Sequence, residues 1–121
     1  MLDRKRMTSL GDLLHRRYGR SLYTILCTAR GGAHGCHFTD GRPPWVVSVP
    51  EASPGCLEDL LHRAGRAQAF LDLRGIPETH WLRRPMIARP LGFSENEATW
   101  PDCADAFVFL DEMTADRHAA R

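Results

Sequence analysis

Leu10, Leu13, Leu14 and Tyr18 recur at the three- and four-residue spacing of one helix face, with Thr8 or Ser9 able to cap its start and Gly19 able to stop it. This spacing predicts a first helix of about ten residues. Over residues 21–29 the pattern changes. Tyr23, Thr24, Ile25, Leu26 and Thr28 favour extended backbone, and Arg30-Gly31-Gly32 follows as a break, so the segment reads as a strand entering a loop. Phe38 is placed on a short strand, residues 40–44 (DGRPP) on a turn and residues 45–49 (WVVSV) on the next strand, as in an antiparallel hairpin.

Pro54-Gly55 interrupts the chain again. Leu57, Leu60, Leu61 and Ala64 then form a second helical stripe, with Cys56 at the N-cap and Gly65 past the end. The apolar run 67–73 reads as a strand, Pro77 opens a single helical turn through Trp81-Leu82, and Met86-Ile87-Ala88 reads as a short edge strand. Residues 92–104 read as a polar connection and residues 106–110 as the last strand. Two of these runs stop on an aspartate, Asp72 and Asp111, as buried strands of an α/β enzyme do at its working face. Helices alternating with strands imply an α/β fold, here a partial mixed sheet of about 4–5 strands with two main helices. The reading is of one incomplete domain over 1–121 with flexible ends at 1–6 and 115–121.

Composition narrows the function. A chain of 121 residues with 43% hydrophobic and 26% charged residues is in the range of an ordinary globular domain. Its net charge of +1 supplies no concentrated positive field for nucleic acid or a membrane surface, and no run approaches the ~18 apolar residues of a membrane span. Charge is uneven, with Arg4, Lys5, Arg6, Arg16, Arg17 and Arg20 early, and Glu95, Glu97, Asp102, Asp105, Asp111 and Glu112 late. The first group reads as solvated helix surface. Cys27, Cys36, Cys56 and Cys103 match neither a Cys-x-x-Cys pair nor a compact disulfide framework, which points to reduced thiols and a cytoplasmic location.

The chemically richest segment is Arg30-Gly31-Gly32-Ala33-His34-Gly35-Cys36-His37. Glycines let backbone approach a ligand, and His and Cys serve as bases, nucleophiles or metal ligands. Arg30, Gly31, Gly32, His34, Cys36 and His37 are therefore the ligand-binding candidates. A metal on His34, Cys36 and His37 would need a sharply folded loop and a further donor, so neither a metal site nor a cofactor is expected, and the bland alternative is a glycine-rich connector. Asp72 and Asp111 could orient a base, or simply pair with Arg74 or Arg83. Arg83, Arg84 and Arg89 around Trp81 could clamp an anion, or form a solvated rim. His15, His62 and His80 show no partner in the sequence, and no serine lies in a G-x-S-x-G elbow.

Several segments in register resemble the C-terminal part of the erythromycin esterase family. They are Met7 with Gly11, the strand and glycine segment 23–35, Pro54-Gly55-Cys56-Leu57-Glu58, Leu71-Asp72-Leu73-Arg74, Trp81-Leu82-Arg83, and Ala106-Phe107-Val108-Phe109-Leu110-Asp111. The resemblance implies an α/β fold and, for complete members, hydrolysis of a small-molecule ester such as a macrolide lactone by water activated through His and Glu. Those catalytic segments would lie N-terminal to the matching part, so the resemblance assigns no catalytic residue to this chain. The expectation is a C-terminal segment of such a hydrolase, inactive alone, whose partner is an upstream polypeptide segment or a second copy. The alternatives are a stand-alone ligand- or metal-binding module using residues 30–37, and a protein-interaction fragment.

Overall fold

The computed structural model describes residues 9–35 and 46–115. Its elements in chain order are helix α1 (Leu10–Tyr18), β1 (Ile25–Gly35), β2 (Val46–Val49), α2 (Leu57–Arg63), β3 (Gln68–Asp72), β4 (Met86–Leu91), β5 (Ser94–Ala98) and β6 (Ala106–Met113). Short 3₁₀ turns occur at Gly19–Ser21, Trp81–Arg83 and Trp100–Asp102. β1, β2, β3 and β6 form a mixed sheet in the order β2-β1-β6-β3. β1 and β6 are parallel and the other two pairings antiparallel, while β4 and β5 form a separate hairpin. The α/β architecture with two helices is the one the apolar pattern implies. Phe38, the turn at 40–44 and Trp45 lie outside the described residues, as do 1–6 and 116–121.

Sheet register sorts the side chains into two faces, because successive residues of a strand point to opposite sides. Leu26 pairs with Phe107, which pairs with Leu71, and all three face α2 and the β4–β5 hairpin. On that side Leu57, Leu73, Leu82, Ala88, Trp100 and Phe107 form the buried core, with Leu61, Ile76 and Met86 packed against it. Trp100 meets Phe107 edge to face at 5.5 Å and donates its indole N–H to the Met86 carbonyl at 2.8 Å, so the aromatic packs without an orphaned polar atom. Each such side chain contributes about 1.5–3 kcal/mol by leaving water.

The strand predicted over 21–29 starts later and runs further. Arg74 donates to the carbonyls of Arg20 and Leu22, which holds them out of strand pairing, and Thr24 accepts from the backbone of Asp105 and Ala106 where β1 begins. At the other end Arg30-Gly31-Gly32-Ala33-His34-Gly35 is strand, not a loop. Residues 32–35 pair with β2, and Gly31 and Gly32 pair with Glu112 and Met113 of β6. Gly32 makes this possible, since its φ is +104° and a Cβ there would lie 2.1 Å from the Met113 carbonyl oxygen.

Residues 92–104 are likewise more than a polar connection. Gly92 and Phe93 both have positive φ, 64° and 63°, as a two-residue hairpin turn demands, and Leu91 pairs with Ser94 across it. The Ser94–Ala98 strand has low β propensity, so the turn and cross-chain contacts such as Ser53 with Glu95 impose it. The two aspartates expected at one working face lie at opposite ends of the sheet. β3 is antiparallel to β6, so Asp72 pairs with Ala106 at the start of β6, whereas Asp111 lies near its end and the strand continues to Met113. Asp72 accepts from the Tyr23 hydroxyl at 3.0 Å and from the Arg74 backbone, a structural role.

α1 begins with Ser9 accepting from Asp12 N–H at 3.1 Å and ends at Gly19, as predicted, yet none of its residues is buried. Leu10 and Leu13 are 71% and 52% exposed, so the stripe that defines the helix is bare.

Two measurements check this account. Gly32→Ala should lose about 1–3 kcal/mol or more in urea unfolding through backbone strain, whereas Gly31→Ala, whose Cβ would meet only the Glu51 side chain at 3.9 Å, should stay close to the parent. The Arg74 guanidinium, donating to Asp105 at 2.7 Å, holds that carboxyl below its usual 3.8. Burial opposes the shift and the Thr24 N–H adds to it. A depressed folded value adds stability that is fully present above about pH 3.8 and lost as pH falls through the folded value. Asp105→Asn should therefore destabilise the chain at neutral pH, with the gap in urea midpoints closing on acidification below that range.

Candidate functional site

In α/β sheets ligands gather at the carboxyl ends of parallel strands. Here that rim lies near the last β1–β6 pair, Gly32 with Met113, and just before it stand Arg30 and Asp111, with His62 reaching in from α2. Asp111 Oδ1 accepts from Arg30 Nε at 3.2 Å and from His62 Nδ1 at 2.7 Å. Glu51 adds a looser contact, 3.8 Å from Arg30 Nη1, on a side chain that is largely in water. The imidazole is nearly half exposed, and with Nδ1 donating to the carboxylate its Nε2 is the atom left to accept or give a proton.

Beneath the rim lies a polar network with no access to solvent. Glu58, 0% exposed, accepts from the Thr28 hydroxyl at 2.5 Å and from the Arg89 backbone N–H at 2.7 Å. The Arg89 guanidinium, also buried, donates to the carbonyls of Pro50, Ala29 and Arg30 at 2.7–2.9 Å. Among the described residues Glu58 Oε2 and Arg89 Nε have no partner. Arg89 therefore cannot clamp an anion beside Trp81, as the sequence allowed, because it is buried and bound to the middle of β1 at Ala29 and Arg30. Arg83 is also engaged, by the Ile76 carbonyl through two nitrogens.

Local geometry explains the arrangement. Glu58 and His62 are one helical turn apart on α2, a rise of about 6 Å, while Thr28, which faces Phe109 across the ladder, and Asp111 lie two strand residues apart, about 6.6 Å. The two strides match, so one face of α2 meets one face of the β1–β6 pair at both levels. The i, i+4 spacing of Glu58 and His62 beside the apolar Leu57 and Leu61 was the signal available in the sequence. What it lacked was the pairing that sets Asp111 and Thr28 on the same face.

Of the sequence candidates, Arg30, Gly31, Gly32 and His34 lie on β1, and only Arg30 joins the cluster. Gly32 serves the close approach of the chain to Met113, whereas Gly31 has only ordinary contact with the Glu51 side chain. His34 turns away and stacks on Phe93 at 5.5 Å, at the tip of the β4–β5 hairpin. Cys36 and His37 lie outside the described residues. His62, expected to have no partner, has Asp111, and His80 caps the 3₁₀ turn by accepting from Leu82 N–H at 3.1 Å.

Among the described residues no group of three or more His, Cys, Asp or Glu side chains is placed to hold a metal ion, and no helix is long and apolar enough to cross a membrane. Cys27, Cys56 and Cys103 are free, and burial pushes the thiols of Cys56 and Cys103 above their usual range. A surface notch of about 450 Å³ between α1 and the 100–105 segment contains Asp12, His15 and Asp105, but Asp105 is already bound by Arg74 and Thr24.

The sheet, with its parallel pair and α2 packed across one face, places the chain among α/β proteins. Within that class it belongs to the erythromycin esterase family, whose model matches residues 1–113. No curated protein matches it. A crystal structure of a protein from Bacillus cereus has the same fold with a TM-score of 0.65 at 17% identity, over 86% of this chain and 28% of that one. The chain thus spans less than a third of the length of that structure.

The buried network yields a direct check. Arg89→Met removes the guanidinium that satisfies the buried carbonyls of Pro50, Ala29 and Arg30 and should cost about 3 kcal/mol or more, whereas Thr28→Val, which removes one donor to Glu58, should cost about 1–3 kcal/mol, both read from chemical unfolding.

Proposed function

We propose that this chain is the C-terminal sheet segment of an erythromycin-esterase-like hydrolase, whose complete form opens carboxylic esters such as macrolide lactones, and that it is inactive alone. The observation that carries this reading is the state of the rim. Among the described residues its one histidine–carboxylate contact, His62 with Asp111, uses an oxygen that Arg30 also holds, so this carboxylate is already engaged within the cluster. Water activation against an ester needs a base within hydrogen-bond reach of the water and donors aimed at the developing oxyanion. In this reading both come from an upstream polypeptide segment, and the present chain supplies the sheet on which that segment is positioned.

A stand-alone ligand module on residues 30–37 has less support, because Arg30 is paired and Gly31 to His34 are strand. The three free cysteines support a reducing, cytoplasmic setting.

The purified 121-residue chain, incubated with a macrolide lactone and followed by mass spectrometry, should open the ring no faster than buffer. Turnover well above buffer would overturn the assignment.

A further inference from the structure

Glu58 and Arg89 are charged side chains that the fold takes almost wholly out of water, and each is satisfied on one side only. Glu58 turns a single oxygen, Oε1, to both of its donors, the Thr28 hydroxyl and the Arg89 backbone N–H. Arg89 directs Nη1 and Nη2 at the carbonyls of Pro50, Ala29 and Arg30. Among the described residues that leaves Glu58 Oε2 and Arg89 Nε, both sealed from solvent, with no protein donor or acceptor, and they do not reach each other. Native interiors leave few such atoms unpaired, and an unpaired charged group is the costliest kind.

The two groups nevertheless lie side by side. Oε1 rests on the side chain of Thr28 and Nη2 on the carbonyl of Ala29, consecutive residues of β1 whose Cα atoms are about 3.8 Å apart. The Arg89 N–H is itself 2.7 Å from Oε1.

We propose that one internal water molecule bridges Glu58 Oε2 and Arg89 Nε and is a built part of the fold. The opposite polarity of the two atoms selects this ligand. A carboxylate oxygen accepts, and the Nε–H only donates. A metal ion or an ammonium would serve the carboxylate and leave the N–H orphaned, whereas an anion would serve the N–H and repel the carboxylate. Water donates to the one and accepts from the other, as buried waters do. A direct contact between the two is opposed by the three carbonyls that hold the guanidinium through its other nitrogens. The bridge brings the second carboxylate oxygen into one network with the carbonyl of Arg30, whose side chain holds Asp111. Hydration is read without any turnover, so this site and the hydrolase assignment fail separately.

Water-selective NMR on the full 121-residue chain tests the bridge. The Arg89 Nε–H should show a cross-peak to water that changes sign in the rotating frame, which marks dipolar contact and not proton exchange. Glu58→Met, which removes the acceptor, should abolish that cross-peak, and Thr28→Val, which leaves Oε2 and Nε in place, should keep it. A crystal structure of the unaltered chain reads the same site even if Glu58→Met fails to fold, and should place a water within about 3.2 Å of both atoms. A guanidinium nitrogen or another protein donor bonded directly to Oε2 would overturn the proposal. So would an Arg89 Nε–H without the cross-peak, or a cross-peak that persists in folded Glu58→Met.

Discussion

Glu58 is a carboxylate with no exposed surface, and the placement of α2 on the sheet depends on how it is satisfied. Burying an isolated carboxylate costs many kcal/mol, so it is tolerable only with hydrogen bonds and a nearby opposite charge. Thr28 supplies a hydroxyl from β1 and Arg89 a backbone N–H from β4, while the Arg89 guanidinium ties down three carbonyls, two in the middle of β1 and one just after β2. One residue pair thus links β1, β4, α2 and the chain between β2 and α2. Hydrophobic burial draws these elements together, and the polar network allows only one register among them.

That register passes directly to the surface. With Glu58 fixed over Thr28, the next turn of α2 brings His62 to Asp111, and the same aspartate receives Arg30 from β1. At that rim the Asp111 carboxylate is shared between Arg30 and His62. Phe93 holds a positive φ at the hairpin tip, stacked against His34, with Arg89 5.9 Å from its ring.

The alternation of apolar and polar residues was enough to place both helices, their caps, and the strands at β2, β3 and β6, because spacing and caps are local signals; α2, β3 and β6 also build the core, while α1 buries none of its residues. Three features were not legible for identifiable reasons. Gly31 and Gly32 look like a loop, yet both are strand, and glycine is required at position 32 by the close passage of Met113, a contact between segments some eighty residues apart. The β5 strand, Ser-Glu-Asn-Glu-Ala, has no strand propensity, and pairing with β4 imposes it. Asp72 and Asp111 look equivalent in sequence, and only the antiparallel placement of β3 sends them to opposite ends of the sheet. In the candidate site Arg30 was identified from its segment. His62, Glu58 and Asp111 needed the match between one turn of helix and two residues of strand before they could be placed together.

Hydrogen exchange of individual backbone amides tests most directly whether the Glu58 network anchors the fold. The Arg89 N–H, which donates to Glu58, and the amides pairing β1 with β6 should exchange only through global unfolding, with the protection expected of the whole chain's stability, while the amides of α1 exchange far faster. An Arg89 amide that exchanges as fast as those of α1 would contradict the account, because the carboxylate beneath it would then be open to water and could not fix α2 on the sheet.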